Sequence, residues 1–333
     1  MAQTGTGKTG LMNLGNTCFM NSCLQCLSHS PELYAICMQS TAILDKDTVE
    51  CQVSREWLKL RELMWKEDCT ISPGGFLASI QQAARKKGDS LFTGFAQNDV
   101  GEFLRFVIVS CMHQALSTKV KMTIKGGGES TIDRTAFTCY KALADLHSTE
   151  YSPIVKTFYG MATSTVTFDS SSKLTAEPYF VLSLPVPNRQ CTIYDCFDEH
   201  MADCNLDGEN QYETDEGRMV DAVKKDGFWD FPDVLIIELK RFDNGLMKNN
   251  HKVECPLETL NLAKYVQCYD AHNYMYELFG VCNHSGRVCG GHYTAYAKSH
   301  DSAWSHFNDR SVTRASPSEV ISSRAYCLFY RKK

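Results

Sequence analysis

The sequence predicts an α+β protein, helical in its first third and strand-rich beyond about residue 150. Three observations predict it. Apolar residues first recur at three- and four-residue spacing: Met20, Cys23, Leu24 and Leu27, then Trp57, Leu58, Leu60, Leu63 and Met64, as one face of an amphipathic helix requires. Met161 to Phe168, Tyr179 to Val186 and Val234 to Phe242 are then rich in Thr, Val, Ile and Phe, which suit a pleated, half-buried surface. Near the end, Tyr293 to Ala297 and Trp304 to Phe307 flank the polar Ser299-His300-Asp301-Ser302, a hairpin pattern.

Within Met1 to Gly10, Gly5-Thr6-Gly7-Lys8-Thr9-Gly10 resembles a phosphate loop, but that loop needs a glycine where Ala2 stands, and a preceding strand. Residues 1–10 are therefore expected to form a flexible tail. Gly15-Asn16-Thr17 supplies turn and N-cap residues, so Cys18 opens a helix that Pro31 ends. A thiol there meets unpaired backbone N–H groups, and the positive end of the helix dipole favours thiolate over thiol. Position alone leaves a buried structural thiol as the competing reading. Arg55 to Trp65 and Gly75 to Ala84 read as further helices. Another opens around Gln97-Asn98-Asp99 and runs to about Leu116, with Asp99 as an acidic first-turn residue suited to the helix dipole. Lys125-Gly126-Gly127-Gly128-Glu129 reads as a mobile turn, with poor order expected from about Thr118 to Thr135. Proline at 185 and 187 closes the second strand, and Val234 to Phe242 suits a central strand.

The 333 residues are 43% hydrophobic, enough for one large domain or two ordinary ones. Sixteen irregularly spaced cysteines in a long chain with no apolar leader read as reduced thiols of the cytosol or nucleus. No apolar run approaches the ~18 residues of a membrane span. A net charge of −5 disfavours nucleic acid and suits a basic protein partner. A monomer is expected.

Cys196, His200 and Cys204 fall at i, i+4 and i+8 with Cys191 close by, which invites a metal reading. Three ligands along one straight helix would spread over about 12 Å of axis. They could not converge on one zinc at bond lengths of about 2.1 to 2.3 Å, so packing roles are expected and no metal.

Ten histidines compete for the role of base. His292 follows Gly290-Gly291, which clears space around the backbone, and begins a strand-like run. If the hairpin folds symmetrically about His300, His292 faces Asn308, with Cβ atoms about 4.5 to 5.5 Å apart. An amide there accepts from one imidazole nitrogen and leaves the other for a thiol. His284 and His306 lack this context.

Gly10-Leu11-Met12-Asn13-Leu14-Gly15-Asn16-Thr17-Cys18-Phe19-Met20-Asn21-Ser22 resembles the cysteine box of the ubiquitin-specific proteases, which are papain-like cysteine peptidases. Gln97-Asn98-Asp99-Val100-Gly101-Glu102-Phe103-Leu104 is similar to that family's second signature. Gly290-Gly291-His292-Tyr293 with Trp304-Ser305-His306-Phe307-Asn308-Asp309 is similar to its histidine box. The resemblance runs in order from Leu11 to Tyr330. It implies a papain-like α+β fold with a helical thumb (about 11–150), β-rich fingers (about 151–232) and a β palm (about 233–333). It also implies Cys18 as nucleophile, His292 as base, Asn308 as third member, Asn13 as oxyanion donor, and Asp309 sharing the polarising or oxyanion role. Asp99, Phe242 and Tyr293 would bind the substrate tail. The implied activity is hydrolysis of the bond after the C-terminal glycine of ubiquitin, with ubiquitin and its conjugates as partners and no cofactor. A peptidase for another ubiquitin-like modifier and a non-catalytic ubiquitin-binding module are the alternatives. Many members carry zinc on four fingertip cysteines; here Phe168, Ser171, Glu213 and Glu216 fall at those places, so no zinc is expected.

Overall fold

The computed structural model describes residues 5–242, 247–287 and 290–333. Its centre is the first helix, α1 (Cys18–Ser28), in which every residue is buried. A helix buried all round serves as a core element, not a surface one. On one side α1 meets the helices Val49–Met64, Gly74–Lys87 and Val100–Leu104 through a common apolar core. On the other it packs against the strands Gly290–Lys298 and Met275–Arg287.

Those strands belong to a sheet ordered Ser311–Ala315, Trp304–Asn308, Gly290–Lys298, Met275–Arg287, Ala325–Lys332, Val234–Lys240, Val181–Pro185. Every pairing along it is antiparallel except the last. Both faces are covered. Ile236, Phe329 and Cys282 point to the α1 side, and Ile237, Leu328 and Val281 to a second core with Phe197 and Tyr265. Two-sided burial explains why Val234–Lys240 reads as a continuous apolar run. A second sheet, ordered Ser171–Tyr179, Gly160–Phe168, Ala222–Asp230, Cys204–Leu206, is antiparallel throughout.

Several expectations are corrected. The first four residues lie outside the described residues, but from Gly5 the segment expected to be a flexible tail is docked. Gly5 N–H donates to Trp65 O at 3.1 Å, Thr6 Oγ1 to Asp68 at 2.7 Å, and Gly10–Leu11 pairs in parallel with Thr70–Ile71. Of the segment around 118–135, only the ends depart from expectation: Thr118 bridges Tyr151, and Thr131–Thr135 lie in the helix Thr131–His147 that Ser130 caps, while residues 121–128 form no regular element. The helix after Gln97 begins at Val100, because Asp99 stops it by accepting from the N–H groups of Gly101 (2.6 Å) and Glu102 (3.1 Å), and it widens to a π-helix over Arg105–His113. The helix through Cys196 ends at His200, so Cys204 lies on a strand, exposed, and shares no helix face with Cys196 and His200.

Burial makes the fold sensitive to acid. It depresses His29 and His284 to about 4, and His113, His147, His200 and His306 also lie below their ordinary value because of burial. The unfolded chain, with histidines near 6.5, then binds more protons than the folded one between about pH 6.5 and 4, so stability falls as pH drops through that window. Buried Asp230, raised to about 6, and Glu238 act in the opposite sense but are outnumbered. Thermal unfolding at pH 5 should therefore occur at least about 5 °C below that at pH 7. An unchanged Tm would mean that these histidines are solvated.

Candidate active site

The turn before α1 is built by one side chain. Asn13 Oδ1 accepts from the N–H groups of Gly15 and Thr17, both at 3.1 Å, while Gly15 (φ 102°) and Asn16 (φ 56°) take the left-handed conformations that glycine and asparagine tolerate. Thr17 spends its hydroxyl on Leu14 N–H at 2.9 Å, so no side chain caps α1. The first-turn N–H groups stay available for an anion, with Cys18, 2% exposed, at the helix start.

His292 lies half-buried on the strand packed against α1, and its Nε2–H donates to Asn308 Oδ1 at 2.7 Å. That leaves Nδ1 with no hydrogen-bond partner among the described residues. The hairpin register differs from the expected one: Ala295 faces Phe307 and Lys298 faces Trp304, which places Thr294, not His292, opposite Asn308. The loop centres one residue later, closed by Ser299 N–H to Ala303 O at 2.9 Å with Ser302 in the left-handed region. A two-residue slip keeps every side chain on its face, so the His292–Asn308 bond forms along the diagonal. Gly291 is required beside it, since a Cβ there would meet Ser285 O at 2.5 Å.

Asp309 (φ 49°) sits in the following turn and points to the α1 side. Its carboxylate accepts from Asn13 Nδ2 at 3.0 Å and from Asn21 Nδ2 at 2.8 Å. Asn13 is thereby held at both ends, with its second N–H still to give.

Gln97, given no role by the sequence, bridges the start of α1 and the strand that carries His292. Its Oε1 accepts from Gly291 N–H at 2.9 Å, its Nε2 donates to Gly291 O, and Nε2 lies 3.9 Å from Cys18 Sγ. It thus touches both the Cys18 thiol and the backbone next to His292. Asp99 gives its other oxygen to the hydroxyls of Tyr326 (2.7 Å) and Tyr293 (3.4 Å). Tyr293 is buried, its ring tilted against that of His284 at 4.7 Å. Phe242 is half-buried beside His284 and Tyr326. Lys248 donates to His284 O at 2.6 Å, and burial together with this lysine keeps His284 neutral. The His306 ring lies tilted against that of Tyr296 at 4.7 Å.

The fingertip residues do not suit zinc. Phe168 and Ser171 close one hairpin, Glu213 and Glu216 lie at another, and no thiolate or imidazole is among them. The two tips meet instead through the Phe168 and Tyr212 rings at 5.2 Å and a Lys173–Asp215 ion pair at 2.5 Å. Among the described residues no group of three or more His, Cys, Asp or Glu is placed to hold a metal ion.

The fold is that of the papain-like cysteine peptidases, and within it a thiol stands at a helix N-terminus and a strand histidine is tied to an amide. The ubiquitin carboxyl-terminal hydrolase family model matches residues 9–330, and the chain belongs to that family. It is 32% identical to human ubiquitin carboxyl-terminal hydrolase 2 over 99% of this chain and 56% of that protein. The corresponding figures for the chicken enzyme of that name are 33%, 97% and 93%. The chain thus spans about half the length of the human relative. The SAGA DUB module solved with ubiquitin aldehyde superimposes with a TM-score of 0.75 at 25% identity, covering 100% of this chain and 71% of that one.

Proposed function

We propose that this chain hydrolyses the peptide or isopeptide bond after the C-terminal glycine of ubiquitin, releasing ubiquitin from protein conjugates. The carrying observation is the His292–Asn308 hydrogen bond at 2.7 Å, on a strand packed against the helix that Cys18 opens. Family membership and the ubiquitin aldehyde in a solved neighbour support the choice of substrate.

In this reading His292 Nδ1 takes the proton of the Cys18 thiol, and the thiolate so formed attacks the carbonyl carbon of the terminal glycine. The resulting oxyanion accepts from the uncapped Cys18 N–H and the free N–H of Asn13. His292, held by Asn308, gives its proton to the departing lysine amine as the tetrahedral intermediate collapses to a thioester. The same imidazole then takes a proton from water, which attacks the thioester and frees ubiquitin. Asp99, Phe242 and Tyr293 line the path of the ubiquitin tail. Residues 11–150 act as thumb, 151–232 as fingers and 233–333 as palm, in a monomer of the cytosol or nucleus.

The test is hydrolysis of a fluorogenic ubiquitin C-terminal amide by the purified chain. Turnover with ubiquitin, and at least about tenfold less kcat/KM with other ubiquitin-like modifiers, is expected; binding without turnover would make the chain a ubiquitin-binding module.

A further inference from the structure

Asn21 lies one turn after Cys18 on α1 and is 2% exposed. Its Nδ2 donates to Asp309 Oδ1 at 2.8 Å and lies 3.3 and 3.4 Å from the carbonyl oxygens of Met12 and Leu11. Its own Oδ1 is buried with no hydrogen-bond partner among the described residues. A buried amide with an unpaired oxygen costs stability that an apolar side chain would not. What the amide supplies in return is its N–H group, and the strongest acceptor it reaches is the carboxylate.

Asp309 makes no ion pair among the described residues. Its two oxygens are divided, Oδ1 to Asn21 and Oδ2 to Asn13. Bonds to a charged acceptor are stronger and more directional than those between neutral groups. With Asn21 fixing one oxygen from the buried side, the carboxyl cannot turn about its last bond, and the other oxygen stays aimed at Asn13. Without Asn21 the carboxylate is held at one oxygen alone, and Asn13 loses a fixed partner.

We propose that Asn21 is a positioning residue for the reaction: it anchors Asp309 so that Asp309 holds the Asn13 amide where the oxyanion forms. The proposal rests on the oxyanion role given to Asn13 above. Asn21 touches no substrate in this scheme and acts through Asp309.

The experiment is a double-mutant cycle of Asn21→Ala and Asp309→Ala on the fluorogenic ubiquitin amide, with Cys18 alkylation by iodoacetamide as a second readout. Alkylation needs the thiolate but no oxyanion site. Asn21→Ala is expected to lower kcat about 10- to 100-fold with KM changed less than about threefold. Its alkylation rate should stay within about twofold of wild type. In the Asp309→Ala background the further loss should be under about twofold, since the two act as one unit. An undiminished loss in that background, or a kcat loss matched by slower alkylation, would overturn the proposal and show Asn21 supporting α1 itself. Should Asn21→Ala not fold, Asn21→Ser and Asn21→Asp run through the same cycle. If Asn13→Ala and Asp309→Ala also turn over at the wild-type rate, the oxyanion reading fails. If they are impaired and Asn21→Ala is not, the positioning role alone fails.

Discussion

Cys18→Ala is expected to abolish turnover, to below about a thousandth of wild type, while ubiquitin binding stays within about twofold. The substitution removes one sulfur atom from a side chain that is already buried, so it deletes no recognition surface. The turn that presents it is held by Asn13 and Thr17, which do not depend on the thiol. Gln97 loses a weak contact at 3.9 Å but keeps both bonds to Gly291. Hydrolysis of the fluorogenic ubiquitin amide and a binding titration on one preparation measure both quantities. Residual turnover above that level would assign the nucleophile to another cysteine. Cys23, the next thiol along α1, is fully buried and its thiolate is strongly disfavoured by desolvation.

The second large effect separates Asn308 from Asp309. Asn308 touches the imidazole and Asp309 does not; Asp309 touches the two amides at positions 13 and 21. Asn308→Ala should cost roughly 10- to 1000-fold in kcat/KM, because the ring keeps its chemistry but loses its fixed tautomer and pose. It should also move the acidic limb of the pH profile, since the group it releases is the base that carries the proton. Asp309→Ala should cost roughly 100- to 1000-fold, the range found when an oxyanion donor is lost, and leave that limb in place. A shifted limb for Asp309→Ala, or an unshifted one for Asn308→Ala, would exchange the two roles.

Much of this site was legible in the sequence because it depends on local signals. A Gly-Asn-Thr turn before an apolar 3.6-residue pattern places Cys18 at a helix start, and period-two alternation puts His292 and Asn308 on one face of a hairpin. The register was misjudged by two residues because the loop's centre depends on Ser302 adopting a left-handed conformation. The error was harmless because side-chain faces repeat with period two. Gln97 and Asn21 escaped notice for a different reason. Both stand inside the motifs quoted above, but each works through partners distant in sequence, Gly291 and Asp309, so the motif marks the residue without showing what it holds. The Ser171–Tyr179 strand was missed because Lys173, Glu177 and Pro178 obscure its alternation, and pairing with Gly160–Phe168 is what makes it a strand. The supposed Cys196, His200, Cys204 face failed because helical spacing in a sequence does not show where the helix stops.

The central claim is that Cys18 is the nucleophile and that its substrate is the ubiquitin C-terminus. Ubiquitin bearing an electrophile in place of its last glycine's carboxyl group, incubated with the wild-type chain, traps the attacking sulfur. Digestion and mass spectrometry then locate the adduct. One ubiquitin per chain, on the peptide containing Cys18, is the predicted result; an adduct on any other cysteine, or none at all, would contradict it.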